Sequence, residues 1–195
     1  QMCIRDRART KAEMPTIALV GYTNAGKSTL FNALTRADVY AQDQLFATLD
    51  TTLRALDIAA LGRVVIADTV GFVRDLPHQL VEAFKATLEE AAEADLLLHV
   101  IDASAEDRDE QIVAVEQVLK EIGAGDIPAL QVMNKIDLLP NAEPKIDYQA
   151  DAESAANGAK LITRQPRQIW LSAAKRQGVD NLHRAIAALL GGSHW

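Results

Sequence analysis

An apolar segment near the start of the chain runs directly into a glycine-containing loop and then into a segment of helical periodicity. Residues 16–20 have the composition of a buried strand, and residues 28–35 carry apolar side chains at helical spacing. The loop between them, Gly-Tyr-Thr-Asn-Ala-Gly-Lys-Ser, has the two glycines, the Gly-Lys pair and the hydroxyl residue of a P-loop. A strand, a loop of this kind and a helix together predict an α/β fold with a phosphate site at the helix N-terminus.

Each part of the loop has a chemical role in such a site. Gly21 and Gly26 allow backbone N–H groups to turn toward a β-phosphate where a Cβ would clash. Lys27 places a cation against the β- and γ-phosphates, and Ser28 offers its hydroxyl to Mg²⁺. We therefore predict a phosphate-binding loop made of Gly21, Tyr22, Thr23, Asn24, Ala25, Gly26, Lys27, Ser28 and Thr29.

Strand-like and helix-like segments alternate along the rest of the chain, which predicts a mostly parallel sheet with helices on both faces. We expect six strands, with one antiparallel edge strand contributed by a hairpin over residues 53–67. This domain is expected to span residues 15–192, after a disordered leader or remnant at 1–14 and with a surface insertion at about 141–167. The further strands are predicted at 96–101, 127–133 and 168–171, and the further helices at 80–94, 107–122 and 179–190.

Composition narrows the class of protein. The formal net charge of −7 over 195 residues disfavours a domain that coats nucleic acid by neutralising phosphates. No uninterrupted apolar run reaches 18 residues, so we expect no membrane span. The single cysteine, Cys3, cannot form an internal disulfide, which favours a cytoplasmic location. We also expect a monomer.

Two later motifs indicate which base the site binds. Asn134-Lys135-Ile136-Asp137 follows a predicted strand, and an aspartate there can accept two hydrogen bonds from guanine N1–H and the exocyclic amine. Adenine has no such pair of donors. After the last strand, a backbone N–H of Ser172-Ala173-Ala174 can meet guanine O6. These residues predict a GTP/GDP site, whereas a P-loop alone leaves ATPases and small-molecule kinases open.

The sequence between these motifs contains candidates for sensing the γ-phosphate. Asp68-Thr69-Val70-Gly71 ends a predicted strand, so that Asp68 can hold the Mg²⁺ shell and Gly71 can donate its N–H to the γ-phosphate. Spacing alone leaves Thr48, Thr51 and Thr52 open as the third metal ligand. Phe72 stands where Ras-type GTPases have a water-orienting glutamine, so we expect slow intrinsic hydrolysis. A non-hydrolysing GTP-binding module is the alternative.

Four blocks of sequence together resemble the HflX-type GTPases, and fit them better than the related Obg and Era types. They are residues 21–32, residues 43–50 (Asp-Gln-Leu-Phe-Ala-Thr-Leu-Asp), residues 68–72 (Asp-Thr-Val-Gly-Phe) and residues 76–90. The resemblance implies that Thr48 is the metal-binding threonine beside Ser28 and Asp68. It also implies that Lys27, Thr48 and Gly71 act in catalysis, and that the nucleotide is contacted by Phe46, Ala47, Thr48, Leu49 and Asp50.

The resemblance has further implications for cofactors and partners. Asn24 is similar to the P-loop asparagine of GTPases in which K⁺ lies between the phosphates, which makes K⁺ a candidate cofactor beside Mg²⁺. HflX-type proteins are cytoplasmic and associate with the large ribosomal subunit, largely through an N-terminal domain that precedes the GTPase domain. Only about 14 residues precede the first predicted strand here, so ribosome binding by this chain is expected only by analogy.

Overall fold

A single twisted sheet organises the part of the chain that the computed structural model describes, namely residues 14–35, 52–59, 61–69, 71, 91–149 and 165–191. The strand order is β2-β3-β1-β4-β5-β7-β6. Pairing is parallel from β3 to β7 and antiparallel at both edges. The strands are β1 (Thr16–Gly21), β2 (Thr52–Ile58), β3 (Gly62–Asp68), β4 (Leu96–Asp102), β5 (Ala129–Asn134), β6 (Lys145–Gln149) and β7 (Gln165–Trp170).

Within the described residues, three α-helices are complete enough to be delimited, and they cover the sheet, which confirms the predicted α/β class. They are α1 (Lys27–Thr35), α2 (Arg108–Glu121) and α3 (Val179–Gly191), and a short 3₁₀ helix, Ile136–Leu138, follows β5. Of the helix predicted over residues 80–94, Ala91 and Ala92 are helical, and residues 80–90 lie outside the described residues. None of the helices in the described ranges is long and apolar enough to cross a membrane.

The core has two layers, one on each face of the sheet. Leu96, Leu98 and Val100 of β4 pack with the side chains of α1 and α3, whereas Leu97 packs toward α2. Side chains alternate between faces along a strand, so a strand buried on both sides reads as a continuous apolar run. This explains why the run in β4 was recognisable as a central strand.

The prediction of six strands is wrong, because the described residues alone form a sheet of seven strands. The additional strand is β6, which lies in the segment 141–167 that the sequence indicated to be an insertion. Ile146 packs against the main core, and the Trp170 Nε1–H donates to Asp147 Oδ2 at 2.9 Å. The Lys145 ammonium lies 5.0 Å from the centroid of the Trp170 ring. These tertiary contacts stabilise a short polar strand that has too little apolar periodicity to be predicted.

β6 also gives the sheet a second antiparallel edge. Pairing between β6 and β7 extends β7 back to Gln165, three residues before its predicted start. Apart from the helix predicted over residues 80–94, most of which lies outside the described residues, the other predicted strands and helices are confirmed to within a few residues of their predicted limits.

Candidate functional site

The P-loop connects the carboxyl end of β1 to the first turn of α1, as predicted. The N–H of Ala25 donates to the Tyr22 carbonyl at 3.2 Å, which closes a turn within the loop. Asn24 is exposed and has a positive φ of 61°, and Thr23 and Thr29 are partly exposed. The loop therefore lies at the edge of the sheet formed by the carboxyl ends of the parallel strands, where open α/β sheets bind their ligands.

The two glycines of the loop are required by contacts within the protein itself. A Cβ added at Gly21 would collide with the carbonyl oxygen of Val100 in the neighbouring strand. Gly26 has a φ of +94°, and its added Cβ would collide with the side-chain amide of Asn134. The sequence argument assigned both glycines to the approach of a phosphate. The structure adds close packing against β4 and against the base motif.

Lys27 is buried at the base of the loop, where 7% of its surface is exposed. Its ammonium donates to the carbonyl oxygens of Gly21, at 3.2 Å, and Tyr22, at 3.3 Å. Burial lowers the Lys27 pKa to about 8, and the nearby Asp68 carboxylate opposes that shift. Burial, with a smaller contribution from the Lys27 charge, also lowers the pKa of His99 on β4 to about 4, so this histidine is neutral at pH 7.

The candidate metal ligands Ser28 and Asp68 lie together. The Ser28 hydroxyl donates to Asp68 Oδ2 at 3.0 Å, and Asp68 is 3% exposed at the end of β3. Next to it, the Thr69 hydroxyl donates to the Leu19 carbonyl at 2.5 Å, which fixes the end of β3 against β1. A hydroxyl and a carboxylate are the hard oxygen donors that Mg²⁺ prefers, so this pair fits the predicted ion.

Gly71, the predicted sensor of the γ-phosphate, lies against the P-loop. A Cβ added there would lie 3.0 Å from Thr23 Cα and 3.1 Å from Lys27 Nζ. Both contacts are tighter than ordinary van der Waals separations, so only a glycine fits without movement of the loop. Val70 and Phe72, on either side of Gly71, lie outside the described residues.

The base motif is joined to the P-loop and to the loop after β7 by one side chain. Asn134 is 2% exposed, its Nδ2 donates to the Ala25 carbonyl at 3.0 Å, and its Oδ1 accepts from the Ala173 N–H at 3.0 Å. The predicted phosphate and base loops therefore meet at a single buried amide. Lys135 follows with a left-handed backbone conformation, at a φ of 65°.

Asp137 and the Ser-Ala-Ala segment also come together. The Ser172 hydroxyl donates to Asp137 Oδ1 at 2.5 Å and accepts from the Lys175 N–H at 3.1 Å. Ala173 is buried beside Asn134, Ala174 is exposed, and Ile136 is buried in the core. Ile136 therefore supports the loop from below, whereas the sequence argument grouped it with the residues that contact the nucleotide.

One residue of this site was not predicted from the sequence. Asp102 is the last residue of β4. Its carboxylate accepts a hydrogen bond from the Lys135 ammonium at 2.7 Å, and two more from the N–H and the hydroxyl of Ser104 at 2.9 and 2.6 Å. Burial raises its pKa, but the hydrogen bonds from Lys135 and Ser104 outweigh that effect, and the net pKa lies below the ordinary value. A carboxylate at the end of a strand that is otherwise apolar except for His99 was the available signal.

The predicted contacts from residues 46–50 lie outside the described residues. These are Phe46, Ala47, Thr48, Leu49 and Asp50, which include the predicted third metal ligand.

A family comparison agrees with this geometry. The model of one protein family, described as 50S ribosome-binding GTPase, matches residues 16–135, which include the P-loop, Asp68 and the start of the base motif. This chain belongs to that family of 50S ribosome-binding GTPases. The membership confirms that the chain is a GTPase domain with a P-loop.

The resemblance to HflX-type GTPases is also confirmed by individual relatives. The chain is 55% identical over 186 residues to GTPase HflX of Escherichia coli, which covers 95% of this chain and 41% of that protein. It is 49% identical over 183 residues to GTPase HflX of Caldanaerobacter subterraneus, which covers 94% of this chain and 38% of that protein. The chain therefore spans about two fifths of the length of these relatives.

Solved structures share the fold of this GTPase domain. A GTP-binding protein from Sulfolobus solfataricus, determined in complex with GDP, is 29% identical with a TM-score of 0.66, over 97% of this chain and 56% of that chain. The Era protein of Aquifex aeolicus bound to GDP·AlF₄⁻ is 23% identical with a TM-score of 0.65, over 89% of this chain and 56% of that chain. The second comparison shows the fold alone.

Proposed function

We propose that this domain binds GTP with Mg²⁺, hydrolyses it slowly to GDP and phosphate, and acts as a nucleotide-dependent switch. The observation that carries the proposal is the buried Asn134 amide, which joins the P-loop to the loop after β7. This link supports one continuous site that contains the residues predicted to bind the phosphates and the base. The hydrogen bond from Ser172 holds the Asp137 carboxylate in a fixed orientation at that site.

The roles of the phosphate-site residues follow from their positions. Lys27 would exchange its two carbonyl partners in the loop for phosphate oxygens, and the Gly71 N–H would meet the γ-phosphate. Ser28, Asp68 and, by family resemblance, Thr48 would hold Mg²⁺. When bound, the ion neutralises charge that develops on the β- and γ-phosphate oxygens. Lys27 and the backbone N–H groups of the loop contribute further stabilisation to the same charge.

We expect slow GTP turnover because the side chain of Phe72 cannot hydrogen-bond the attacking water. A K⁺ ion near Asn24 would supply positive charge at the phosphates and is one candidate for compensating the absent glutamine. We expect single-turnover hydrolysis by the isolated domain to be measurable and faster in K⁺ than in Na⁺. Equal rates would remove the role of K⁺, and no hydrolysis at all would favour the alternative of a non-hydrolysing GTP-binding module.

We extend the proposal to the large ribosomal subunit and to a cytoplasmic location, on the basis of the family description and the HflX relatives. Five exposed large apolar side chains occur among the described residues, and they come from separate segments, which supports a monomer. Sedimentation of the chain with 50S subunits in a non-hydrolysable GTP analogue, compared with GDP, tests the partner. Equal sedimentation in both nucleotides would contradict a switch.

Exchanging Asp137 for asparagine tests the base assignment directly. Guanine offers an amine donor at C2, whereas xanthine offers a carbonyl acceptor, so an amide in place of the carboxylate should reverse the preference. We expect Asp137→Asn to weaken GDP binding at least about a hundredfold and to strengthen xanthosine diphosphate binding. Ser172 can still donate to the asparagine oxygen, so folding should be retained. Unchanged GDP affinity would show that Asp137 does not read the base.

A further inference from the structure

Asp102 occupies a fixed place beside the proposed guanine site. It ends β4 and lies directly opposite Asn134 in the parallel register of β4 and β5. One carboxylate oxygen accepts from the Lys135 ammonium, and the other accepts twice from Ser104. Its side chain is 19% exposed. Because both oxygens are engaged, the carboxylate cannot rotate without losing a charge-assisted hydrogen bond.

The side chain of Lys135 lies between its ion-pair partner Asp102 and the P-loop. Its Cε would lie 3.9 Å from a Cβ added at Gly26, so the aliphatic stem passes over the P-loop. The left-handed backbone at Lys135 directs the chain into the 3₁₀ helix that carries Asp137. The side chain is 31% exposed, so its position is set by the ion pair with Asp102 more than by burial.

We propose that Asp102 is a positioning residue: it holds the stem of Lys135 against the flat face of the bound purine. The proposal rests on the proposed GTP/GDP site. A lysine stem that is already ordered loses less conformational entropy when the nucleotide binds, so the ion pair raises affinity by preorganisation. Asp102 acts on the face of the ring and Asp137 acts on its edge. The contribution of Asp102 is therefore independent of which groups the base presents for hydrogen bonding.

The first test replaces the carboxylate by the amide of the same shape. Asp102→Asn keeps an oxygen for Ser104 but removes the charge that holds Lys135. We expect the Kd of GDP to rise about tenfold, with an equal factor for inosine diphosphate, which lacks the exocyclic amine. Asp147→Asn is the matched control, because it removes another Lys–Asp pair, that of Lys145 and Asp147 at 3.1 Å, at the edge of the sheet. Its Kd values should equal those of the wild-type chain.

A double-mutant cycle separates positioning from general damage to the fold. In a Lys135→Met background, which keeps the aliphatic stem and removes the ammonium, Asp102→Asn should change the GDP Kd less than about twofold. If Asp102→Asn does not fold, Ser104→Ala replaces it in the same cycle. Loss of the hydrogen bond from the Ser104 hydroxyl, with the backbone N–H retained, should raise the Kd about twofold to threefold, again only when Lys135 is present.

The outcomes distinguish this proposal from the proposed function. If the wild-type chain fails to bind GDP, the nucleotide site itself is misassigned. If the wild-type chain binds GDP and Asp102→Asn binds it equally well, the positioning role is overturned. The role is also overturned if Asp102→Asn changes the ratio of GDP to inosine diphosphate affinity, or if its effect is undiminished in the Lys135→Met background.

Discussion

At the scale of single residues, the site depends on a few buried polar groups whose partners are all from the protein. Asn134 satisfies a carbonyl of the P-loop and an N–H of the loop after β7, and Lys27 donates to two carbonyl oxygens of its own loop. Buried polar groups of this kind are costly to leave unpaired, so they fix the geometry of the loops before a nucleotide arrives.

Replacement of Asn134 by alanine should affect stability as well as binding. The change leaves the Ala25 carbonyl and the Ala173 N–H without their partner, and each unsatisfied buried group costs about 1–3 kcal/mol. We expect Asn134→Ala to lower the free energy of unfolding by about 2–4 kcal/mol, measured by urea denaturation. Gln117→Ala, at an exposed position of α2, is the control and should be within experimental error of the wild-type chain.

The lowered pKa of Lys27 predicts a pH dependence of nucleotide affinity. In the free protein the Lys27 pKa is about 8, and the negative phosphates of a bound nucleotide raise it. The bound state then holds more protons, so GDP affinity should fall as the pH rises above about 8, with a limiting slope of about tenfold per pH unit. Calorimetry between pH 7 and pH 9 in buffers of different ionisation enthalpy measures both the affinity and the proton uptake. A constant Kd across this range contradicts the prediction.

The same shift has a defined effect on stability in the free protein. In the unfolded chain Lys27 keeps its proton up to its ordinary pKa of 10.5, whereas the pKa in the folded chain is about 8. Between those values the unfolded state binds more protons, so the contribution of Lys27 to stability increases as the pH rises. Below pH 8 both states are protonated, and the buried charge is a constant cost to the folded state.

At the scale of elements, β6 shows how tertiary contacts stabilise a strand that local sequence does not favour. It pairs with β7, its Asp147 accepts from the Trp170 indole, and its Lys145 lies over the Trp170 ring. The hydrogen bond between Asp147 and Trp170 joins residues 23 positions apart, so a short window of the sequence does not contain both partners.

Trp170→Phe should therefore loosen β6 selectively. The change removes the N–H donor and weakens the interaction with Lys145. We expect it to lower the free energy of unfolding by about 1–2 kcal/mol. Hydrogen exchange should show reduced protection of the amides in Lys145–Gln149, with unchanged protection in β1 and β4. Arg63→Ala, which removes only an exposed ion pair with Asp57, should change neither. Equal loss of protection throughout the sheet would contradict the assignment.

The elements that were predicted from the sequence are those whose signals lie in residues close together in the chain. The P-loop was recognisable because its residue types follow one another in a strand, loop and helix, and β4 was recognisable because it is buried on both faces. The ion pair of Lys135 and Asp102 was not predicted, because it depends on the register of two parallel strands. The packing of Gly26 against Asn134 likewise depends on residues far apart in the chain.

At the scale of the whole molecule, the central strands lie between the two core layers and end at the candidate site. Leu98 is fully buried in the middle of β4, the strand that ends at Asp102. We expect Leu98→Ala to lower the free energy of unfolding by about 2–5 kcal/mol, through lost burial and the remaining cavity. Val113→Ala, at an exposed site of α2, should cost less than about 0.5 kcal/mol. Similar losses for both variants in urea denaturation would contradict the two-layer core.

Guanine recognition depends on the whole molecule, because the loops that follow β1, β5 and β7 meet at one edge of the sheet. Calorimetric titration of the purified chain with GDP and then with ADP, in buffer containing Mg²⁺, tests it most directly. We predict binding of GDP with a micromolar or lower Kd and no detectable binding of ADP. Comparable affinities for the two nucleotides would contradict the base assignment of Asp137 and indicate a general P-loop nucleotidase.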